Sequence, residues 1–94
     1  MTIDVLIDEF ISGKTEGSNV SGKLKISGDK LIHYETVILE RYNDSFILNY
    51  SRYSMTTGVL QNKIRDKIKD YNYFTLTKVP RGFLGSLVEE LERK

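Results

Sequence analysis

The chain has no cysteine. That removes a disulfide framework, a thiolate nucleophile and every cysteine-based metal site. It has one histidine, His33, and one proline, Pro80. A zinc site would therefore need carboxylates for its remaining ligands, and the acids are scattered along the chain. "YNDS" lacks the D-x-[DN]-x-[DN]-G pattern of a calcium loop. No apolar run approaches the ~20 residues that span a bilayer. The first ten residues, "MTIDVLIDEF", carry acids where a secretory signal would carry bases. The expected location is the cytoplasm, with no membrane partner, no metal and no cofactor.

What is present is a folded profile. Of 94 residues, 39% are hydrophobic and 29% charged, with six Tyr and four Phe. Disorder needs fewer apolar groups and more net charge. The length allows one domain, residues 1–94, with a thin margin of stability. Net charge is +1 but unevenly spread. Residues 1–40 hold four bases against seven acids, and residues 41–81 hold eight bases against three acids. The middle is where an acidic partner would be attracted. A helix with solvated lysines produces the same count.

The hydrophobic pattern predicts an α+β fold in the order α-β-β-β-α-β-α, a small antiparallel sheet of about four strands with three helices. Thr2 caps a first helix whose inward residues are Ile3, Leu6, Ile7, Phe10 and Ile11, and Gly13 stops it. "GKTEGSNVSG" reads as a mobile loop. Strands are expected near 23–27, 30–42 and 45–53, turning at Gly28-Asp29 and Asn43-Asp44. The second strand is expected to bend or break near Tyr34-Glu35. Thr56 or Thr57 is the expected N-cap of a second helix, with Val59, Leu60, Ile64, Ile68 and Tyr71 inward. A fourth strand is expected at 73–79, ended by Pro80. "GFLGSLVEELERK" closes the chain as a third helix.

Catalytic patterns do not emerge. The serines sit in no G-x-S-x-G context. His33 lies between Ile32 and Tyr34 in a strand, where a partly buried imidazole bonded to backbone or Tyr is expected. Glu35 and Glu40 are five apart on one strand and point to opposite faces. "TTGVLQNK" lacks the spacing of a Walker A loop. Thr56, Thr57 and Gly58 would still stand at the amino end of the second helix, where free N–H groups favour an anion and Arg52 could assist. Capping of the helix is the simpler account of the same threonines. The chain is expected not to be an enzyme.

A binding surface is the remaining signal. Tyr42, Tyr50, Tyr53, Tyr71 and Tyr73, with Arg41, Arg52, Lys63, Arg65, Lys78 and Arg81, make an aromatic and basic set. Single-stranded nucleic acid is bound by aromatic platforms beside basic grooves. Protein interfaces favour Tyr and Arg as well. Half-buried strand tyrosines with the hydroxyl outward account for the same residues. No RNP1, KH or zinc-finger pattern separates these readings.

The run "KLIHYETVILERYNDSFILNYSRYSMTTGVLQNKIR" resembles a family of short proteins encoded by phages and plasmids. Their pattern is a hairpin ending in "LN", a "YS-x-TT" step, then a helix opening with Gln or Asn and a base. Here these are Leu48-Asn49, Tyr53-Ser54, Thr56-Thr57, Gln61-Asn62 and Arg65. The resemblance covers roughly residues 30–66. It leaves out the first helix and the last 28 residues. The family has no assigned activity, so no catalytic residue carries over. It implies a mobile genetic element, where small proteins of this kind dock onto larger machines. Inhibitors of bacterial defence, including anti-CRISPR proteins, are examples.

Three expectations follow. The first is a non-catalytic protein that docks on a host or defence nucleoprotein and inhibits it, with contacts from Tyr50, Arg52, Tyr53, Thr56, Thr57, Lys63, Arg65, Lys67 and Arg81. The second is direct nucleic-acid binding through the basic 41–81 region. The third is a small-molecule-binding oligomer with a pocket near His33 or Thr56. A homodimer would enlarge the small core and cover exposed sheet edges.

Overall fold

The computed structural model describes residues 2–19 and 21–92. Among these residues the fold is α+β, with three helices and one mixed sheet of six strands in the order of the chain.

Helix α1 (Ile3–Ile11) is capped as its sequence demands, the Val5 amide donating to Thr2 Oγ1 at 3.2 Å. It ends where Gly13 turns to positive φ and the Gly13 amide closes on the Phe10 carbonyl. The segment expected to be a loop contains a strand, β1 (Glu16–Ser18), paired with β2 (Leu24–Ser27). Gly17 permits this. Its φ is positive, and a Cβ at that position would stand 3.2 Å from the Leu6 side chain.

Three two-residue turns then build the meander. Gly28-Asp29 joins β2 to β3 (Lys30–His33), with Ser27 opposite Lys30. Tyr34-Glu35 joins β3 to β4 (Thr36–Tyr42), with His33 opposite Thr36. The expected break is thus a complete hairpin turn, with φ of 50° and 65° at two non-glycine residues. Asn43-Asp44 joins β4 to β5 (Ser45–Asn49), and Asn43 takes the positive φ.

Strand β5 stops at Asn49, short of the expected 53. Residues 50–54 run irregularly into helix α2 (Met55–Ile68), which returns the chain to β6 (Tyr73–Leu76). Strand β6 pairs with β5 in parallel, which corrects the all-antiparallel expectation. A 14-residue helix between neighbouring strands is the crossover that parallel pairing requires. Helix α3 (Leu87–Glu92) is shorter than expected and leaves Leu84 exposed.

The core has two halves. Leu6, Ile7 and Phe10 of α1 and Leu60, Ile64 and Ile68 of α2 pack on one sheet face against Leu24, Ile26, Leu31, Ile38, Leu39, Phe46 and Leu48. Ile32, Val37, Ile47 and Leu76 face the other way and meet Val79 and Leu87. Each fully buried aliphatic or Phe side chain contributes about 1.5–3 kcal/mol. A bulge sets the phase. Leu31 pairs with Leu39 while Ile32 pairs with Val37, so Ile38 is an extra residue. Ile38 and Leu39 therefore both pack in the first half. The phase beyond the bulge turns Glu40 towards α3 and Arg41 towards α1.

Candidate functional site

The segment after β5 is held by a buried polar network. Asn49 is fully buried. Its Nδ2 donates to the Val37 carbonyl and to the Tyr53 hydroxyl, each at 2.9 Å, and its Oδ1 accepts from the Ser51 amide at 3.0 Å. Gln61 Nε2 of α2 donates to the Asn49 and Ser51 carbonyls at 2.7 and 2.9 Å. The Val79 amide donates to Ser51 Oγ at 2.8 Å, and the Tyr53 hydroxyl donates to the Val79 carbonyl at 2.6 Å. Residues 50–54 thus lie fixed between α2 and the chain after β6.

Two open clefts flank this segment. One, of about 1120 Å³, is bordered by Tyr50, Arg52, Met55, Val59, Asn62 and Thr77 among others. The other, of about 430 Å³, is bordered by His33, Tyr34, Thr57 and Arg81 among others. Tyr53 and Ser54 form part of both. Neither cleft is lined by an Asp or Glu.

The structure separates the residues expected to form one surface. Tyr50, Arg52 and Tyr53 line the larger cleft, and Tyr53, Thr56, Thr57 and Arg81 line the smaller one. Lys63, Arg65 and Lys67 line neither. Lys63 pairs with Asp4 at 3.3 Å, and Lys67 pairs with Asp8 at 2.9 Å and Asp4 at 3.8 Å. The acids of α1 therefore answer part of the base-rich middle. Arg65 lies over the Tyr50 ring at 5.2 Å, and the Tyr50 hydroxyl donates to Asn62 Oδ1. Arg81 spends one Nη2 hydrogen bond on the Tyr53 carbonyl at 3.1 Å. Arg52 is exposed and makes no hydrogen bond or ion pair among the described residues.

Arg41 is structural. It lies over the Phe10 ring at 4.2 Å and donates to the carbonyls of Phe10, Lys14 and Gly28 and to Asp29. It thereby closes the carboxyl end of α1, as cations near a helix C-terminus do. Tyr42 meets Phe74 and Tyr71 meets Phe46, both edge-on.

The N-cap of α2 is Ser54, not Thr56 or Thr57. Ser54 Oγ accepts from the Thr57 amide at 3.2 Å, and its carbonyl accepts from the Gly58 amide at 2.9 Å. This start places Thr57, Leu60, Gln61, Ile64 and Ile68 inward and turns Val59 out. Sequence reasoning missed Met55 and Val59 as surface residues. Their i, i+4 spacing was the available signal.

His33 is 7% exposed and packs edge-on against Tyr34 at 4.5 Å. The expected hydrogen bond to backbone or Tyr is absent among the described residues. Burial, and then the charge of Lys23, hold its pKa below the ordinary 6.5. The unfolded chain therefore takes up this proton at a higher pH than the folded one. Stability should be fully present above about pH 6.5 and fall as the pH drops from there towards the lowered folded value. Urea midpoints measured from neutral to mildly acidic pH should decline for the wild type and less steeply for His33→Gln. Equal slopes would refute the assignment.

Among the described residues no group of three or more His, Asp or Glu side chains is placed to hold a metal. No helix among them is long and apolar enough to cross a membrane. Comparison with protein-family models, with curated proteins and with solved structures finds no match.

Proposed function

We propose that this chain is a non-catalytic docking protein that uses the larger cleft to bind an acidic and apolar segment of a partner protein. The observation that carries this reading is the pair Met55 and Val59, 88% and 62% exposed. They stand one turn apart on α2, at a cleft that also holds Tyr50 and the unpaired Arg52. Exposed apolar side chains beside Tyr and Arg are the composition of an interaction hot spot. Arg52 is the cleft's charged lining residue, which suits an acidic occupant. The underlying network makes the surface rigid, and a preorganised surface loses little entropy on binding. The resemblance to phage and plasmid proteins supports a host or defence nucleoprotein as the machine, with inhibition by occlusion as the outcome.

A protein occupant is favoured over nucleic acid because Lys63 and Lys67 already face Asp4 and Asp8. Tagged protein passed over host lysate, followed by binding to the purified captured subunit, tests the reading. Met55→Asp with Val59→Asp should weaken that binding by about 2 kcal/mol or more. The fold should persist, because both side chains are exposed and at Met55 an acid stands in the favourable first turn of the helix. Arg52→Glu should slow association and reduce its salt dependence. Full binding by the Met55/Val59 double variant would sink the proposal. So would a salt-sensitive gel shift with DNA or RNA that those variants leave intact. Light scattering on the same samples reads whether a second copy occupies the cleft.

A further inference from the structure

The smaller cleft brings together donors that folding leaves unused. The His33 imidazole lines it, and neither ring nitrogen bonds to a protein group among the described residues, although the residue is only 7% exposed. The ring nitrogens keep solvent access, since no side-chain nitrogen or oxygen among the described residues is both fully buried and unpartnered, and they are therefore open to a ligand. At the amino end of α2, Ser54 takes the Thr57 and Gly58 amides. The Thr56 amide at this cleft, and the Met55 amide just before it in the chain, have no protein acceptor, although the Met55 side chain borders the larger cleft. Arg81 commits one hydrogen bond to the Tyr53 carbonyl and keeps the rest of its guanidinium available. Thr56 is exposed, with its hydroxyl free of a protein partner. No Asp or Glu lines the cleft, and Lys23 stands beside it, 5.5 Å from the centre of the Tyr34 ring.

We propose that this cleft binds a small phosphate monoester carrying a planar ring, of the class of a nucleoside monophosphate. The phosphate sits at the amino end of α2, between Arg81 and His33. Backbone amides, a helix dipole and a guanidinium are the groups that recognise phosphate. The donors outnumber what the two oxygens of a carboxylate accept, and they suit a tetrahedral oxyanion. The cleft, at about 430 Å³, has room beyond the phosphate, where the exposed Tyr34 ring presents apolar surface. It is mononucleotide-sized and lies at the lower end of ligand-pocket volumes, ~300–1,000 Å³. Arg81, in place of the expected Arg52, supplies the guanidinium. The proposal stands apart from the docking reading, although Tyr53 and Ser54 border both clefts.

Titration of the labelled full chain at low salt, followed by amide and imidazole NMR signals, tests it. The probes are inorganic phosphate, adenosine 5′-monophosphate and adenosine. Phosphate and the monophosphate should shift the Met55 and Thr56 amides and the His33 ring, with the monophosphate binding more tightly. Adenosine alone should not. Arg81→Gln should weaken binding about tenfold. His33→Leu should weaken it as well while leaving the melting temperature at neutral pH nearly unchanged, since the imidazole makes no hydrogen bond to the protein among the described residues. The proposal is overturned by silent Met55 and Thr56 amides at millimolar monophosphate, by an equal response to adenosine, or by unchanged affinity in both variants.

Discussion

Asn49→Leu should destabilise the protein by about 3–5 kcal/mol, because a buried donor and at least one buried acceptor lose their partner at about 1–3 kcal/mol each and the packing of a branched apolar group adds strain. Leucine has the branched outline of asparagine but is bulkier, so the loss is of hydrogen bonds with overpacking added, and no cavity opens. The Ser51 amide is left facing a methyl group, and the Val37 carbonyl and the Tyr53 hydroxyl lose their donor. Against a total of roughly 0.05–0.15 kcal/mol per residue, that is a large share of what a 94-residue chain has.

Asn49→Asp should be at least as damaging. It keeps the acceptor for Ser51 but turns a second oxygen towards the Val37 carbonyl. Gln61→Leu should cost less, since Gln61 donates only to the Asn49 and Ser51 carbonyls and each has a second lone pair that other groups can use. The double variant should fall short of the sum, because both residues act through residues 49–51. Urea unfolding of the four variants and the wild type measures this. An Asn49→Leu midpoint within error of the wild type would show that the network contributes nothing to stability.

This network was illegible in the sequence for a physical reason. Asn49 and Gln61 are polar, and a hydrophobic pattern sends polar residues outward. Only their spatial partners reveal that they point in. Gln61 falls inward because α2 begins at Met55, capped by Ser54. Three hydroxyl residues, Ser54, Thr56 and Thr57, compete for the cap, and only the geometry selects among them. The same choice decides Val59, which lies about 200° around the helix from Thr57 and therefore faces solvent. The turns at Gly28-Asp29 and Asn43-Asp44 were legible, since those residues tolerate positive φ. Tyr34-Glu35 was legible as an interruption, but neither side chain signals a two-residue turn. Strand β1 has no apolar alternation, so only its pairing and the Gly17 contact with Leu6 identify it. The parallel pairing of β6 was implicit in a helix joining two strands, a connection the meander reading overlooked. The charge excess at 41–81 was correctly counted, yet its partial neutralisation by Asp4 and Asp8 is a contact between α1 and α2 that no local window shows.

Glu40→Ala should release the end of the chain. The bulge at Ile38 turns Glu40 onto the α3 face, where it is 5% exposed. Its Oε1 accepts from the Leu87 amide and its Oε2 from the Ser86 hydroxyl, both at 2.7 Å. Such carboxylate bonds are short and strong, and they fix the first turn of a six-residue helix that is too short to persist alone. Alanine leaves the Leu87 amide unpaired and opens space beside it, a loss of about 2–4 kcal/mol. Amide exchange should quicken across residues 83–92 well before the sheet opens. Glu40→Gln should lose no more than about 1 kcal/mol, because its carbonyl can accept from Leu87 while its amide donates to Ser86 Oγ. Equal and small effects of the two substitutions would remove the carboxylate from the account of α3. The consequence reaches the smaller cleft. The Val37 amide donates to the Phe83 carbonyl and the Gly82 amide to Thr36 Oγ1, so the anchored end also steadies Arg81. Glu40→Ala should therefore weaken monophosphate binding although no cleft residue has changed, and Glu40→Gln should restore it.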